Sequence, residues 1–197
     1  MGLILASGSP RRRQLLEQLG LTFTVRSSDV DESVSPGLTP AQVVESLSAR
    51  KGEAVAQLSQ PGDLILSADT VVALEGAILG KPRSREEAAA MLSALSGRTH
   101  QVYTGVTLLQ DGRRLTGHEV TAVTFRPLSP EEIAAYVSTG EPMDKAGAYG
   151  IQGLGALLAE RLEGDYFNVM GLPLCRLGQM LSRFGVHPLE AAMAPQR

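Results

Sequence analysis

The sequence predicts an α/β domain built on a mixed sheet, and two observations carry that prediction. Strand-like apolar runs alternate with helix signals through the first half of the chain. Two long β-rich stretches, His100–Leu109 and Arg114–Leu128, then flank Asp111-Gly112, a turn pair that joins antiparallel strands. A purely parallel sheet contains no such hairpin.

The elements follow in order. Leu3–Ala6 reads as a buried strand, and Pro10–Leu19 as a helix with Leu15, Leu16 and Leu19 on its apolar side, ended by Gly20. Leu21–Arg26 alternates as a second strand. A loop of Ser, Asp, Pro and Gly follows over Ser27–Leu38, carrying Asp29, Asp31 and Glu32. Thr39 caps a long helix that runs to about Leu58 and is closed by Pro61-Gly62. Asp63–Asp69 reads as an apolar strand ending in a carboxylate. Val71–Leu74 and Ala77–Leu79 form a hairpin through Glu75-Gly76. Helices are expected at Arg85–Leu95, Pro130–Ser138 and Leu174–Phe184. A glycine-rich segment, Gly147–Gly155, precedes a strand at Ala156–Leu162. No repeat or linker divides the 197 residues, so they read as a single domain with a loosely ordered tail after His187.

Composition narrows the function. A hydrophobic content of 43% and a charged content of 20% suit a soluble globular protein. The net charge of −3 argues against nucleic acid as a bulk partner, and 4% aromatics leave little for base stacking. No apolar run is long enough to span a membrane, and no signal-peptide pattern opens the chain. Cys175 stands alone, which excludes a disulfide framework and points to a cytoplasmic setting.

The first helix breaks a rule that the others keep. Helix starts favour acidic residues because the macrodipole is positive there. Ser129-Pro130-Glu131-Glu132 and Ser84-Arg85-Glu86-Glu87 obey, and Thr39-Pro40-Ala41-Gln42 carries the matching Gln. Ser9-Pro10-Arg11-Arg12-Arg13 instead follows its N-cap with cations, at a cost of roughly 0.3–1 kcal/mol for each misplaced charge. Two readings stand. An anion sits at the helix start, where free N–H groups already favour it, or the arginines lie on a solvated face and the cost is screened.

Familiar catalytic signatures are missing. There is no Gly-x-Gly-x-x-Gly after the first strand, no Walker-type Gly-Lys-Ser/Thr and no Gly-x-Ser-x-Gly elbow. His100, His118 and His187 are scattered and read as ordinary surface or partly buried residues. What remains is charge at the ends of apolar elements: Asp69 with Thr70 beside it, Lys81 after the hairpin, Lys51 in the long helix and Glu32 in the loop before it. Ligands in open α/β sheets gather at the carboxyl ends of strands. Cations and a carboxylate around an anion-ready helix start suit a phosphorylated ligand with a divalent metal. Each residue also has a plainer reading. Asp69 caps a turn, Lys81 is a solvated turn residue, Lys51 lies on the wet helix face beside Arg50, and Gln152 is a polar residue of a glycine-rich loop.

Taken together, these stretches resemble the Maf family of nucleotide pyrophosphatases, once associated with septum formation. The resemblance rests on Leu5-Ala6-Ser7-Gly8-Ser9-Pro10-Arg11-Arg12, Ala68-Asp69-Thr70, Gly80-Lys81-Pro82, Leu95-Ser96-Gly97-Arg98-Thr99-His100, the run from Glu141 to Gly153, Gly164-Asp165-Tyr166 and Val169-Met170-Gly171-Leu172-Pro173. It covers about Leu3 to Phe184. Arg13 and Gly52 stand at positions that vary in the family.

The resemblance implies an elongated mixed sheet flanked by helices with a central cleft, similar to the inosine-triphosphate pyrophosphatases. It implies hydrolysis of dTTP and UTP to the monophosphate and diphosphate, with Mg²⁺ or Mn²⁺, in a homodimer. A sister branch acting on 7-methyl-GTP differs where Gln152 stands. Asp69 is then expected as the general base for a water that attacks the α-phosphorus. Ser7, Ser9, Arg12, Lys51 and Lys81 bind phosphate. Glu32 holds the metal and shares it with Asp69, which leaves Asp69 with two candidate roles. Arg11, Thr70 and Gln152 read the base. The Gln152 amide has both a donor group and an acceptor to offer a pyrimidine with a carbonyl at position 4. A nucleotide-responsive regulator of division without turnover is the reading from a different class, and it has no need of Asp69.

Overall fold

The computed structural model describes residues 2–27 and 29–191. The strands are β1 (Leu3–Leu5), β2 (Thr24–Val25), β3 (Leu64–Leu74), β4 (Ala77–Leu79), β5 (Thr99–Gln110), β6 (Arg113–Phe125) and β7 (Ala159–Glu163). The helices are α1 (Pro10–Gln18), α2 (Pro40–Ala56), α3 (Arg85–Leu95), α4 (Pro130–Ser138), α5 (Tyr166–Met170), α6 (Leu174–Ser182) and α7 (Pro188–Ala191). The strands form one mixed sheet in the order β2-β1-β3-β5-β6-β7, with β4 also on β3. The expected mixed α/β fold is therefore borne out. Among the described residues no helix is long and apolar enough to cross a membrane.

Backbone contacts group the chain into two compact units. The first contains residues 1–69, 104–119 and 171–197, and the second contains 70–103 and 120–170. β3, β5 and β6 contribute residues to both.

In the first unit β1 pairs in parallel with β2 and β3, and Leu3, Ile4 and Leu5 stand opposite Leu64, Ile65 and Leu66. Ile4, Ala6, Val55, Ile65 and Leu109 pack into one buried cluster. α2 lies unusually close to the strands, and glycines allow it. A Cβ on Gly52 would stand 2.6 Å from the Ser67 hydroxyl and 2.7 Å from a Leu109 methyl. Gly105 on β5 likewise leaves no room for a side chain against the Val44 carbonyl. Buried hydroxyls complete this seam. Ser67 Oγ donates to the Ser48 carbonyl at 2.6 Å, and Ser48 Oγ shares a 2.9 Å bond with Thr107. Ser48, Lys51, Gly52 and Val55 thus share the strand-facing side of α2 at helical spacing. Gly52→Ala is expected to destabilise the protein by about 1–3 kcal/mol through overpacking, which outweighs the roughly 1 kcal/mol that Ala gains in helix propensity. Chemical denaturation checks this, and an unchanged midpoint would refute it.

The second unit has its own core, in which Leu92, Leu95, Phe125, Ile133, Tyr136 and Tyr149 are buried together. His100 is fully buried there. Its ring stacks edge-on with Phe125 and Tyr149, and its Nε2 bonds the Tyr149 hydroxyl at 2.8 Å. Burial pushes its pKa down to about 4, so it stays neutral in the core at neutral pH.

Four expectations change. β3 does not end at Asp69 but continues unbroken to Leu74, because its second half is as apolar and buried as its first. The second strand shrinks to Thr24–Val25, whose two residues are both exposed. The segment before β7 coils as a 3₁₀ turn over Leu154–Leu157, so the strand starts at Ala159. In the tail after His187, Pro188–Ala191 forms α7, and residues 192–197 lie outside the described ones.

Candidate active site

The loop after β1 leads directly into α1. Ser9 stands at the N-cap with extended backbone, and Pro10 follows as the first helical residue. The expected cap bond from the Ser9 hydroxyl is not made, whereas Thr39, Ser84 and Ser129 all cap their helices. Ser7 stands just before this N-cap. Its hydroxyl accepts from the Ser9 N–H at 3.3 Å and from Arg12 Nη1 at 3.0 Å.

The three arginines divide. Arg13 is exposed and pairs with Glu17 one turn on at 2.8 Å, so for it the solvated reading is right. Arg11 is half-buried and repels Arg12 electrostatically. Arg12 is half-buried too, and its Nε donates to the Gly171 carbonyl at 2.7 Å. Burial pushes its pKa down, while the negative charges of Asp69 and Glu32 act in the opposite direction. The Gly171 carbonyl is a site component that sequence reasoning missed. Its only signal was the Met170-Gly171-Leu172-Pro173 run, which names no chemistry.

Asp69 projects from mid-strand. It lies between the residues of β3 that pair with β1 and those from Val72 onward that pair with β4. It is 7% exposed. Lys51 reaches it from α2: its Nζ lies 2.5 Å from Asp69 Oδ1 and 2.7 Å from Glu32 Oε1. Lys51 is therefore not on a wet helix face, and one ammonium bridges the two carboxylates expected to hold a metal. Glu32 is mostly exposed. Its loop is fastened by Arg50, which donates to the Ser33 carbonyl at 2.7 Å, and by an Asp31–Ser33 turn.

Ser7, Arg11, Arg12, Glu32, Lys51 and Asp69 thus belong to the first unit, and charge interactions connect Arg11, Arg12, Glu32, Lys51 and Asp69. Thr70, Lys81 and Gln152 belong to the second. Thr70 is half-buried on β3, Lys81 is exposed just after β4, and Gln152 is exposed. Among the described residues no group of three or more His, Cys, Asp or Glu could hold a metal ion.

Fold and site together define a class: α/β proteins with a continuous mixed sheet and a cation–carboxylate cluster beside an uncapped helix start. The HAM1 protein of Coxiella burnetii shares this fold, with a TM-score of 0.54 at 18% identity over 93% of this chain and 99% of that one. The chain belongs to the Maf family, whose model, described as Maf-like protein, matches residues 2–184. A relative in Moorella thermoacetica, named dTTP/UTP pyrophosphatase, is 58% identical over 93% of this chain and 95% of its own length. Another of that name, in Symbiobacterium thermophilum, is 55% identical over 93% and 94%.

Proposed function

We propose that this chain is a nucleoside triphosphate pyrophosphatase that hydrolyses dTTP and UTP to the nucleoside monophosphate and diphosphate. The relatives' names support that reading, and one observation carries it at the site. Arg12, Lys51, Glu32 and Asp69 form a single electrostatic cluster beside an α1 N-terminus that lacks a side-chain cap.

The donor set fits a divalent ion. Glu32 and Asp69 offer hard carboxylate oxygens to one cation, the Lys51 ammonium. Mg²⁺ ordinarily takes only one or two carboxylates and completes its shell with water and substrate phosphate, so a third protein ligand is not needed. When bound, such an ion offsets the charge of the leaving diphosphate. The chain's own residues do the rest. Ser7, Ser9, Arg12 and the N-terminal end of α1 receive phosphate oxygens. The hydrogen bond from Lys51 orients the Asp69 carboxylate. Asp69 takes a proton from a water whose oxygen attacks the α-phosphorus, and the bond to the β-phosphate oxygen breaks. Lys81 adds charge to the phosphates, while Arg11, Thr70 and Gln152 select the base, as the resemblance assigns.

Pyrophosphate release with dTTP, UTP, CTP, GTP and 7-methyl-GTP tests this reading. Turnover of dTTP and UTP above the others is the expected result. Turnover of 7-methyl-GTP instead would assign the sister branch, and binding without turnover would leave the regulator. Gln152→Ala is expected to lower kcat/KM for dTTP and UTP by about tenfold or more, with little change in melting temperature. Loss of stability without loss of discrimination would count against its role.

A further inference from the structure

We propose that Glu141 and Tyr136 are positioning residues for substrate selection, because together they clamp both ends of the loop that carries Gln152. The proposal rests on the base-reading role given to Gln152 above and concerns the second unit alone.

The loop around Gln152 is rich in glycine, with Gly147, Gly150, Gly153 and Gly155, so its backbone has much conformational freedom to lose. Two side chains remove that freedom. Before Gln152, the Gly150 N–H donates to the Tyr136 hydroxyl at 3.1 Å. After it, the Leu154 N–H donates to Glu141 Oε2 at 2.9 Å, and the Gly155 N–H to Oε1 at 3.0 Å. The two clamps are themselves joined, since the Tyr136 hydroxyl donates to Glu141 Oε1 at 2.9 Å. Both are anchored outside the loop. Tyr136 is buried on α4, and the Glu141 N–H donates to Thr139 Oγ1 at 3.1 Å while its carbonyl accepts from Lys145 at 2.7 Å. The fit is close: a Cβ on Gly155 would stand 2.7 Å from the Tyr136 hydroxyl.

Only an ionised carboxylate meets this demand. It accepts three donors and offers none. Burial pushes the Glu141 carboxyl up, but the Gly155 and Leu154 N–H groups and the Tyr136 hydroxyl outweigh it and hold it below its ordinary range. Burial also raises the Tyr136 phenol, which keeps its proton for Glu141. An amide in place of Glu141 would set a donor against a donor. Gln152, exposed at the loop tip, has its place set by these bonds to the flanking backbone. Base selection by a single amide needs that placement, since a side chain loose by about 1 Å loses most of its discrimination.

The test compares kcat/KM for UTP and CTP, which differ at position 4 of the base, in Glu141→Gln, Tyr136→Phe, Gln152→Ala and the double variant Glu141→Gln/Gln152→Ala. The expected result is a UTP-to-CTP ratio lowered about tenfold in each clamp variant. The loss should fall on KM for UTP rather than on kcat. The double variant should lose no more of the ratio than Gln152→Ala alone, because the clamp acts through Gln152. Equal losses on both nucleotides would reduce Glu141 to a stability residue and overturn the clamp. A ratio lowered in Gln152→Ala but intact in both clamp variants would overturn the clamp alone. A ratio intact in Gln152→Ala would overturn the base-reading role, and the clamp with it. Should Glu141→Gln fail to fold, Tyr136→Phe decides, because it removes only the hydroxyl that holds Gly150.

Discussion

Asp69→Asn is expected to lower kcat by about 10²–10⁴-fold, the usual contribution of a positioned general base, while dTTP still binds. The amide keeps the shape of the carboxylate and can still accept from Lys51, so the side chain stays in place at the middle of β3. What it loses is the capacity to take a proton from water and one negative charge beside Arg12. Binding therefore survives, and with less local negative charge the triphosphate meets less repulsion. Steady-state kinetics and nucleotide titration by calorimetry separate the two effects. Turnover within a few-fold of the parent would remove Asp69 from the base role.

Lys51→Met has the second large effect, and it divides between activity and stability. The Lys51 and Asp69 side chains are 17% and 11% exposed, so the ammonium is the near-buried counterion of a near-buried carboxylate. Glu32 is 62% exposed and can turn to water at little cost. Removing the cation leaves Asp69 without its hydrogen-bonded counterion and with only the electrostatic attraction of Arg12, with an expected destabilisation of about 3 kcal/mol. kcat should fall by at least about 100-fold, since one phosphate-neutralising charge and the orienting bond to Asp69 go together. A divalent ion held by Glu32 and Asp69 can stand in for the lost positive charge. Added Mg²⁺ should therefore raise the melting temperature of Lys51→Met more than that of the parent. An equal response in both would show that these carboxylates do not hold the ion.

Much of the fold is legible because its signals are local. The capping patterns at Thr39, Ser84 and Ser129 place the starts of α2, α3 and α4, and all three caps form. Asp111-Gly112 places the turn between β5 and β6, where both residues take positive φ. The misplaced end of β3 arises where polar residues inside an apolar run imitate an end. Ser67, Asp69 and Thr70 break the pattern of β3, yet the strand continues because the rest of its residues are buried on both sides of them.

The site is legible in its members and not in its connections. Arg12, Glu32, Lys51 and Asp69 could be named from residue type and resemblance. That Lys51 bridges the two acids could not, because position along α2 does not reveal which helix face Gly52 and Gly105 bring against the strands. Several motifs that carry the family resemblance prove structural. Arg98 pairs with Glu75, and His100 lies in an aromatic core. Asp165 caps α5 through the Phe167 N–H at 2.7 Å, while Asn168 fastens that helix to the Val102 carbonyl at 2.9 Å.

The chain's own order of residues thus settles the element types, the family and the chemical inventory, since propensity, capping and motif spacing act over a few neighbouring residues. Tertiary packing alone decides which arginine turns inward, which carboxylates share one ammonium and which side chains hold the Gln152 loop. Those outcomes depend on burial and on bonds between residues far apart in the chain: Arg12 with Gly171, Lys51 with Asp69, Glu141 with Gly155. The strength of such contacts depends on burial of both partners, which weakens screening of the paired groups and penalises leaving either one unpaired, and no local pattern encodes that.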